Sequence, residues 1–351
     1  MPANLTADYR KAEDAFRRAR EPTERLQCLK EMLRTIPKHK GTDHLQADIK
    51  SRIKDLSEEL AAPAKGGKRK GPVHSIRPEG AAQVALIGPP NAGKSSLHAY
   101  LTGSKTEIRP YPQTTRHPIP GMLPYEDVLF QLIDLPPVSA DYMETWMVNA
   151  LQPADAALLV VDVSDPDCLD QIPIIIERLA EKKITLLEQW PGLSFDAEIR
   201  GITSIPLEAG DDTYVDDPFR IQLPTLLLAN KSDLDPEPDE VKILEELLEV
   251  RFPARACSAK TGEGCGEIGA LLFDGLEISR VYTKTPGKPF KKDKPYTVRK
   301  GQTVLDVARL VHKDFTTSLR YARVWGTEVY DGQQVGPDHQ VADCDVVEMH
   351  I

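Results

Sequence analysis

Gln83–Ser96 reads QVALIGPPNAGKSS. The apolar run Val84–Ile87 ends abruptly in glycine, and Gly88–Ser95 has the spacing G-x-x-x-x-G-K-S ahead of a helical stretch, LHAYL. A buried strand that turns through such a loop into a helix aims backbone N–H groups and the positive helix end at an anion. There the lysine reaches the β- and γ-phosphates and the serine hydroxyl binds Mg²⁺. Gly88, Asn91, Ala92, Gly93, Lys94, Ser95 and Ser96 are therefore candidate phosphate-binding residues, with Lys94 also a catalytic candidate and Ser95 a Mg²⁺ ligand. A plain glycine turn is the alternative; its place between strand and helix argues against it.

Further along, LLLANKSD puts Asn230, Lys231 and Asp233 at a strand end. A carboxylate there accepts both the N1–H and the exocyclic amine of guanine, which adenine cannot supply. An ATP enzyme would need a different base reader. Lys231 would lie along the ring, and Ser258, Ala259 and Lys260 in ACSAKTGEG would close the other side of the base. Between these motifs, YPQTTRHPIPG offers Thr114 and Thr115, of which Thr115 is the preferred partner for Mg²⁺ and γ-phosphate. Asp134 ends the apolar run LFQLID and can hold the metal, usually through water.

The surrounding pattern sets the fold. Short apolar runs, QVALIG, LFQLID, AALLVVDV, TLLLANKSD and ARACSA, alternate with helical stretches, the rhythm of a mostly parallel α/β sheet with phosphate ligands at its carboxyl edge. Leu26, Leu29, Leu33 and Ile36, then Leu45, Ile49, Ile53, Leu56 and Leu60, recur at helical spacing and predict an N-terminal helical hairpin over 1–62. Residues 63–80 read as a linker rich in Ala, Gly, Pro and Lys. The P-loop domain is expected over 81–282, with an insertion at about 184–222, because some sixty residues separate VVDVSD from LANKSD. Residues 283–351 read as a small domain of sheet and one helix, TVLDVARLVHKDF, capped by Thr303.

Composition narrows the class. The 351 residues carry a formal charge of −10, which excludes indiscriminate coating of nucleic acid and confines any RNA contact to a patch such as Lys65–Lys70 or Lys284–Lys300. Apolar runs fall short of the ~18 residues of a membrane span, so no membrane contact is expected. The N-terminus has no apolar signal core, and five scattered cysteines suit a reducing cytoplasm.

GPPNAGKSS, QTTR, DLPP, NKSD and SAK in this order resemble the five motifs of translation-factor-type GTPases. IPKHKGTDHLQADIKSRIKDL resembles the helical lead-in of the developmentally regulated GTP-binding (Drg) proteins of the Obg superfamily. The run from ISRVYTKTPGKPF to DVVEMHI resembles their C-terminal TGS domain, a β-grasp module. The resemblance implies GTP and GDP as ligands, Mg²⁺ as cofactor, and ribosomal or RNA partners met through the TGS domain and basic stretches. The N-terminal helices offer a surface for a protein partner.

Val138 stands where Ras-like enzymes keep the water-orienting glutamine. Obg-type GTPases likewise carry a hydrophobic residue there, and many use K⁺; Asn91 matches their potassium-binding asparagine. The alternative is that Asn91 only braces its loop. Pro137 replaces the glycine of the D-x-x-G motif and has no N–H for the γ-phosphate, a deficit of about 1.5–3 kcal/mol. Two readings follow: a slow, K⁺-assisted GTPase using Lys94, Thr115 and Asn91, or a guanine-nucleotide-binding scaffold that hydrolyses little.

Overall fold

The computed structural model describes residues 6–19, 22–37, 42–61, 76–104, 117–144, 146–192, 219–234, 252–290, 294–312 and 314–351. They form two units, Met1–Ser75 with Asp196–Ile221, and Ile76–Phe195 with Gln222–Ile351.

In the first unit, Thr6 caps α1 (Ala7–Arg18) by accepting the Tyr9 N–H at 3.2 Å, and its hydroxyl donates to the Thr35 carbonyl at the end of α2 (Pro22–Thr35). With α3 (Asp43–Ala61) the two expected helices are present, and among the described residues α1 precedes them as a third. The helix missed in the sequence has a thin apolar stripe, Tyr9, Ala12 and Phe16, in an otherwise charged segment. These side chains meet Leu29, Met32, Ile36 and Ile49 in one core, which Phe219 completes edge-on to Phe16 at 5.8 Å and beneath the Arg52 guanidinium at 4.1 Å. The end of the expected insertion thus packs with the N-terminal helices.

The second unit is built on strands β1 (Gln83–Ile87), β2 (Ile119–Tyr125), β3 (Val128–Asp134), β4 (Ala156–Asp162), β5 (Ile184–Leu187), β6 (Ile221–Asn230) and β7 (Ala254–Ala256). Their order is β2-β3-β1-β4-β6-β5, with β7 on β6. β1, β3, β4, β6 and β7 pair in parallel, and only β2 is shown antiparallel, on β3. Helices α4 (Lys94–Thr102), α5 (Met147–Leu151), α6 (Cys168–Glu181) and α7 (Ile268–Gly275) connect the strands. β1 and β4 are buried along their whole length, as strands covered on both faces must be.

Two expectations change here. Ile184–Leu187 is a strand of the sheet rather than the start of an insertion, and Trp190 behind it is buried with its indole N–H donated to the Thr225 carbonyl at 3.0 Å. These four residues follow a helix too briefly to show a strand period, which is why the spacing assigns them to the insertion. The tail of the expected linker is stitched to β3: Ala81 N–H donates to the Leu129 carbonyl, and Gln131 bonds to the Arg77 carbonyl and the Glu79 amide.

A second sheet, β11-β10-β12-β8-β9, starts at β8 (Ile278–Lys284), a few residues before the expected boundary, and continues with β9 (Tyr296–Arg299), β10 (Tyr321–Trp325), β11 (Gln333–Val335) and β12 (Asp345–His350). Helix α8 (Val304–Val311) begins with a capping box between Thr303 and Asp306 and lays Val304, Val307 and Ala308 on the sheet; the short α9 (Phe315–Ser318) follows. Among the described residues no helix is long and apolar enough to cross a membrane.

Arg280 of β8 joins the two sheets. Its guanidinium binds Asp343 at 3.0 and 2.6 Å, reaches Glu126 and Asp127 in the β2–β3 turn, and lies 5.0 Å over the Phe273 ring. Tyr282 donates to Asp127, and Arg299 pairs with Asp155 at 3.1 Å. Arg280→Ala leaves three carboxylates without their shared cation. Because the site is partly solvated, the expected loss is about 1–3 kcal/mol in urea unfolding, and no change in midpoint would show that the joint is incidental.

Candidate nucleotide site

The parallel strands deliver their carboxyl ends to one edge. Leu86 pairs with Asp134, and Asp162 with Asn230, so the loop after β1 faces the ends of β3, β4 and β6. Gly88 opens that loop where a Cβ would lie 2.2 Å from the Val160 carbonyl oxygen. Gly93 closes it at φ +85°, and a Cβ there would lie 2.2 Å from the Asn230 amide nitrogen. Only glycine fits either place.

Asn230 is the hub. Its Nδ2 donates to the Ala92 carbonyl at 2.8 Å, and its Oδ1 accepts the Ala259 N–H at 3.1 Å. One buried amide thus ties the loop after β1 to the loop after β7. Lys231, at φ +64°, turns the chain so that its ammonium meets Asp162 Oδ2 at 2.5 Å, and the single turn Ser232–Leu234 presents Asp233. Asp233 accepts the Ser258 hydroxyl at 2.7 Å and pairs with Lys260 at 3.1 Å. The Ser258 hydrogen bond, then Lys260, hold its carboxyl below the ordinary range. Ser258 Oγ also accepts the N–H groups of Lys260 and Thr261 at 3.2 and 3.1 Å, which shapes the loop.

At the phosphate end, Ser95 Oγ lies 2.6 Å from Asp134 Oδ2, two hard oxygen donors of the kind Mg²⁺ takes. Lys94 is buried and donates to the Gly88 and Pro89 carbonyls at 3.1 and 2.7 Å. Desolvation pushes its ammonium down to about 8, against the pull of Asp134. Asn91 sits at φ +62° with an exposed side chain that makes no hydrogen bond among the described residues. Ala92 is buried and Ser96 half-buried. Thr114 and Thr115 lie outside the described residues.

The D-x-x-G position is a buried wedge. Leu135, Pro136, Pro137 and Val138 are all buried, and the Val138 N–H donates to the Gly88 carbonyl at 3.1 Å. That bond and the Lys231–Asp162 pair were missed in the sequence. An acidic residue ending an apolar run, as in VVD, was the available signal for Asp162; nothing local marked the Val138 amide.

Residues 83–189 match the family model described as a 50S ribosome-binding GTPase, and residues 279–351 match the TGS domain. An uncharacterized GTP-binding protein of Methanocaldococcus jannaschii is 28% identical over 93% of this chain and 92% of its own length. Developmentally-regulated GTP-binding protein 1 of Xenopus laevis is 26% identical over 91% and 96%, and developmentally-regulated G-protein 3 of Arabidopsis thaliana 27% over 91% and 95%. This chain carries a GTPase domain and a TGS domain and is similar to the Drg proteins over most of its length. Its fold is that of the Schizosaccharomyces pombe YchF GTPase, which aligns with 79% of this chain and 100% of its own at TM-score 0.50 and 13% identity.

For this Drg-like chain the buried lysine has a measurable consequence. Phosphates at Lys94 would raise its pKa, so binding takes up a proton wherever the free protein has lost it. GDP affinity is expected to be level below about pH 7 and to weaken as pH rises through about 8, approaching tenfold per unit. Calorimetry in buffers of different ionisation heat counts the protons, and a flat profile to pH 9 would show Lys94 charged throughout.

Proposed function

We propose that the protein is a slow GTPase that acts with ribosomes or RNA in translation or ribosome biogenesis. What carries the reading is the convergence at one sheet edge of Lys94, the Ser95–Asp134 oxygen pair and the Asn230–Asp233–Ser258 cluster. Gly88, Ala92, Gly93, Lys94 and Ser96 would take the phosphates. Asp233 would read guanine when Lys260 and Ser258 yield to the base, with Lys231, Ala259 and Asn230 framing the pocket.

Ser95 and Asp134 are an oxygen pair that fits Mg²⁺, with Thr115 the expected further ligand, and the ion when bound supplies charge neutralisation between the phosphates. The free amide oxygen of Asn91 suits K⁺, which offers the same service where other enzymes use an arginine. Val138 cannot orient water, so the chain's own contribution is to hold the phosphates, through Lys94 and the loop amides, and to exclude solvent with the Leu135–Val138 wedge. Cytoplasmic residence fits five thiols without a disulfide among the described residues.

A second reading, a guanine-nucleotide-binding scaffold, draws on the wedge itself. Pro137 lacks an N–H and the neighbouring Val138 N–H is already given to Gly88. Single-turnover GTP hydrolysis with and without ribosomes separates the two. Turnover is expected in KCl and a slower rate in NaCl; none in KCl under either condition leaves the scaffold, and equal rates in both salts remove the role of Asn91.

Pro137→Gly is expected to raise the preference for GTP over GDP by about one to two decades, one charge-assisted hydrogen bond of about 1.5–3 kcal/mol. Displacement titrations read it. If neither affinity nor turnover moves, Pro137 acts only as packing.

A further inference from the structure

Period-two alternation divides the second sheet into unlike faces. Val281, Ala322, Val324, Val347 and Met349 point inward to the core under α8. The opposite face follows from the register: Tyr321 beside His350; Arg323 beside Glu348, itself beside Lys284; and Trp325 beside Val346. The GTPase domain takes the lower end of this face, where Arg280 and Tyr282 bind the β2–β3 turn. The upper end carries rings and cations. Tyr321 and His350 are stacked, with centroids 4.5 Å apart and planes within 9°. Lys284 Nζ stands 4.4 Å over Trp325, and Arg323 is exposed.

We propose that this upper face is a stacking platform for single-stranded RNA. The inference rests on the RNA-partner reading above and moves the contact from the Lys288–Lys300 stretch to the sheet. A parallel ring pair adds an unpaired base as the next member of its stack, whatever the base, while flanking cations meet the phosphates. Charge agrees. Glu348, the acidic residue on these rungs, is buried and already bonded to Lys284 and His350 at 2.9 Å each, so Arg323 leaves the face positive on a chain of −10. Cross-strand pairing alone accounts for neighbouring rings. It does not account for Arg323 and Lys284 sharing the rung between a stacked ring pair and Trp325, all three rings partly exposed. An RNA duplex is disfavoured, because its bases are not free to stack.

The test uses the full chain loaded with GDP and a fluorescent single-stranded RNA of about 12 nucleotides, read by anisotropy across a salt series. Tyr321→Ala is expected to weaken binding about tenfold and Tyr321→Phe to preserve it, which separates lost stacking from a damaged sheet. Arg323→Gln should lower the salt slope by about one. Lys288→Glu with Lys294→Glu should cost less than Arg323→Gln despite the larger charge change. The inference is overturned if only the Lys288 and Lys294 changes matter, or if duplex RNA competes equally. It is also overturned if the face variants lose ribosome co-sedimentation while keeping oligonucleotide affinity, an outcome that points to a protein partner. Absence of all RNA binding would remove the RNA reading too, with GTP hydrolysis, measured on the same preparations, standing apart.

Discussion

The Asn230 side chain is the interaction on which the candidate site depends. Its hydrogen bonds to the Ala92 carbonyl and from the Ala259 amide cross between loops that are 138 and 29 residues away in the chain. A buried primary amide can donate and accept at once, which no carboxylate or apolar side chain of that size can do. The close approach of Gly93 to the same amide is part of the device, since a side chain there would displace it. The loop after β1 and the loop after β7 are therefore tied to one side chain, and Asp233, three residues further on, is positioned relative to both.

The second constraint is the parallel sheet. It brings Asp134, Asp162 and Asn230 to one edge because their strands run in the same direction, and it allows the Leu135–Val138 segment to fold down onto the start of the phosphate loop. The antiparallel β2–β3 hairpin has Asp134 at one end and, at the other, the Glu126–Asp127 turn held by Arg280. The TGS sheet is thus bonded to the same strand that ends in a candidate metal ligand. The contact is polar and partly hydrated, so it holds the domains without the cost of burying isolated charges.

Local pattern made most of the GTPase domain legible. Buried strands announce themselves as apolar runs, and Gly88, Gly93, Lys94 and Ser95 are readable because a phosphate loop has few chemical solutions. Helix α1 escaped because Tyr9, Ala12 and Phe16 form a stripe too thin to stand out from its charged surroundings. β5 escaped because four residues carry no usable period, and its strand identity comes from its neighbour β6. The Lys231–Asp162 pair and the aromatic face of the TGS sheet depend on register between distant segments, on which single-strand spacing is silent.

By itself the sequence determined the fold class and the order of the GTPase and TGS domains, and it nominated candidates for meeting guanine, phosphate and a hard cation, because these follow from side-chain chemistry and short-range spacing. Tertiary structure alone decided which atoms are already engaged. It spends the Val138 amide on Gly88, leaves the Asn91 amide open, lowers the Lys94 ammonium by burial, and sets Tyr321 against His350. The physical reason is that hydrogen-bond partnership, desolvation and cross-strand register are properties of contacts between segments far apart in the chain.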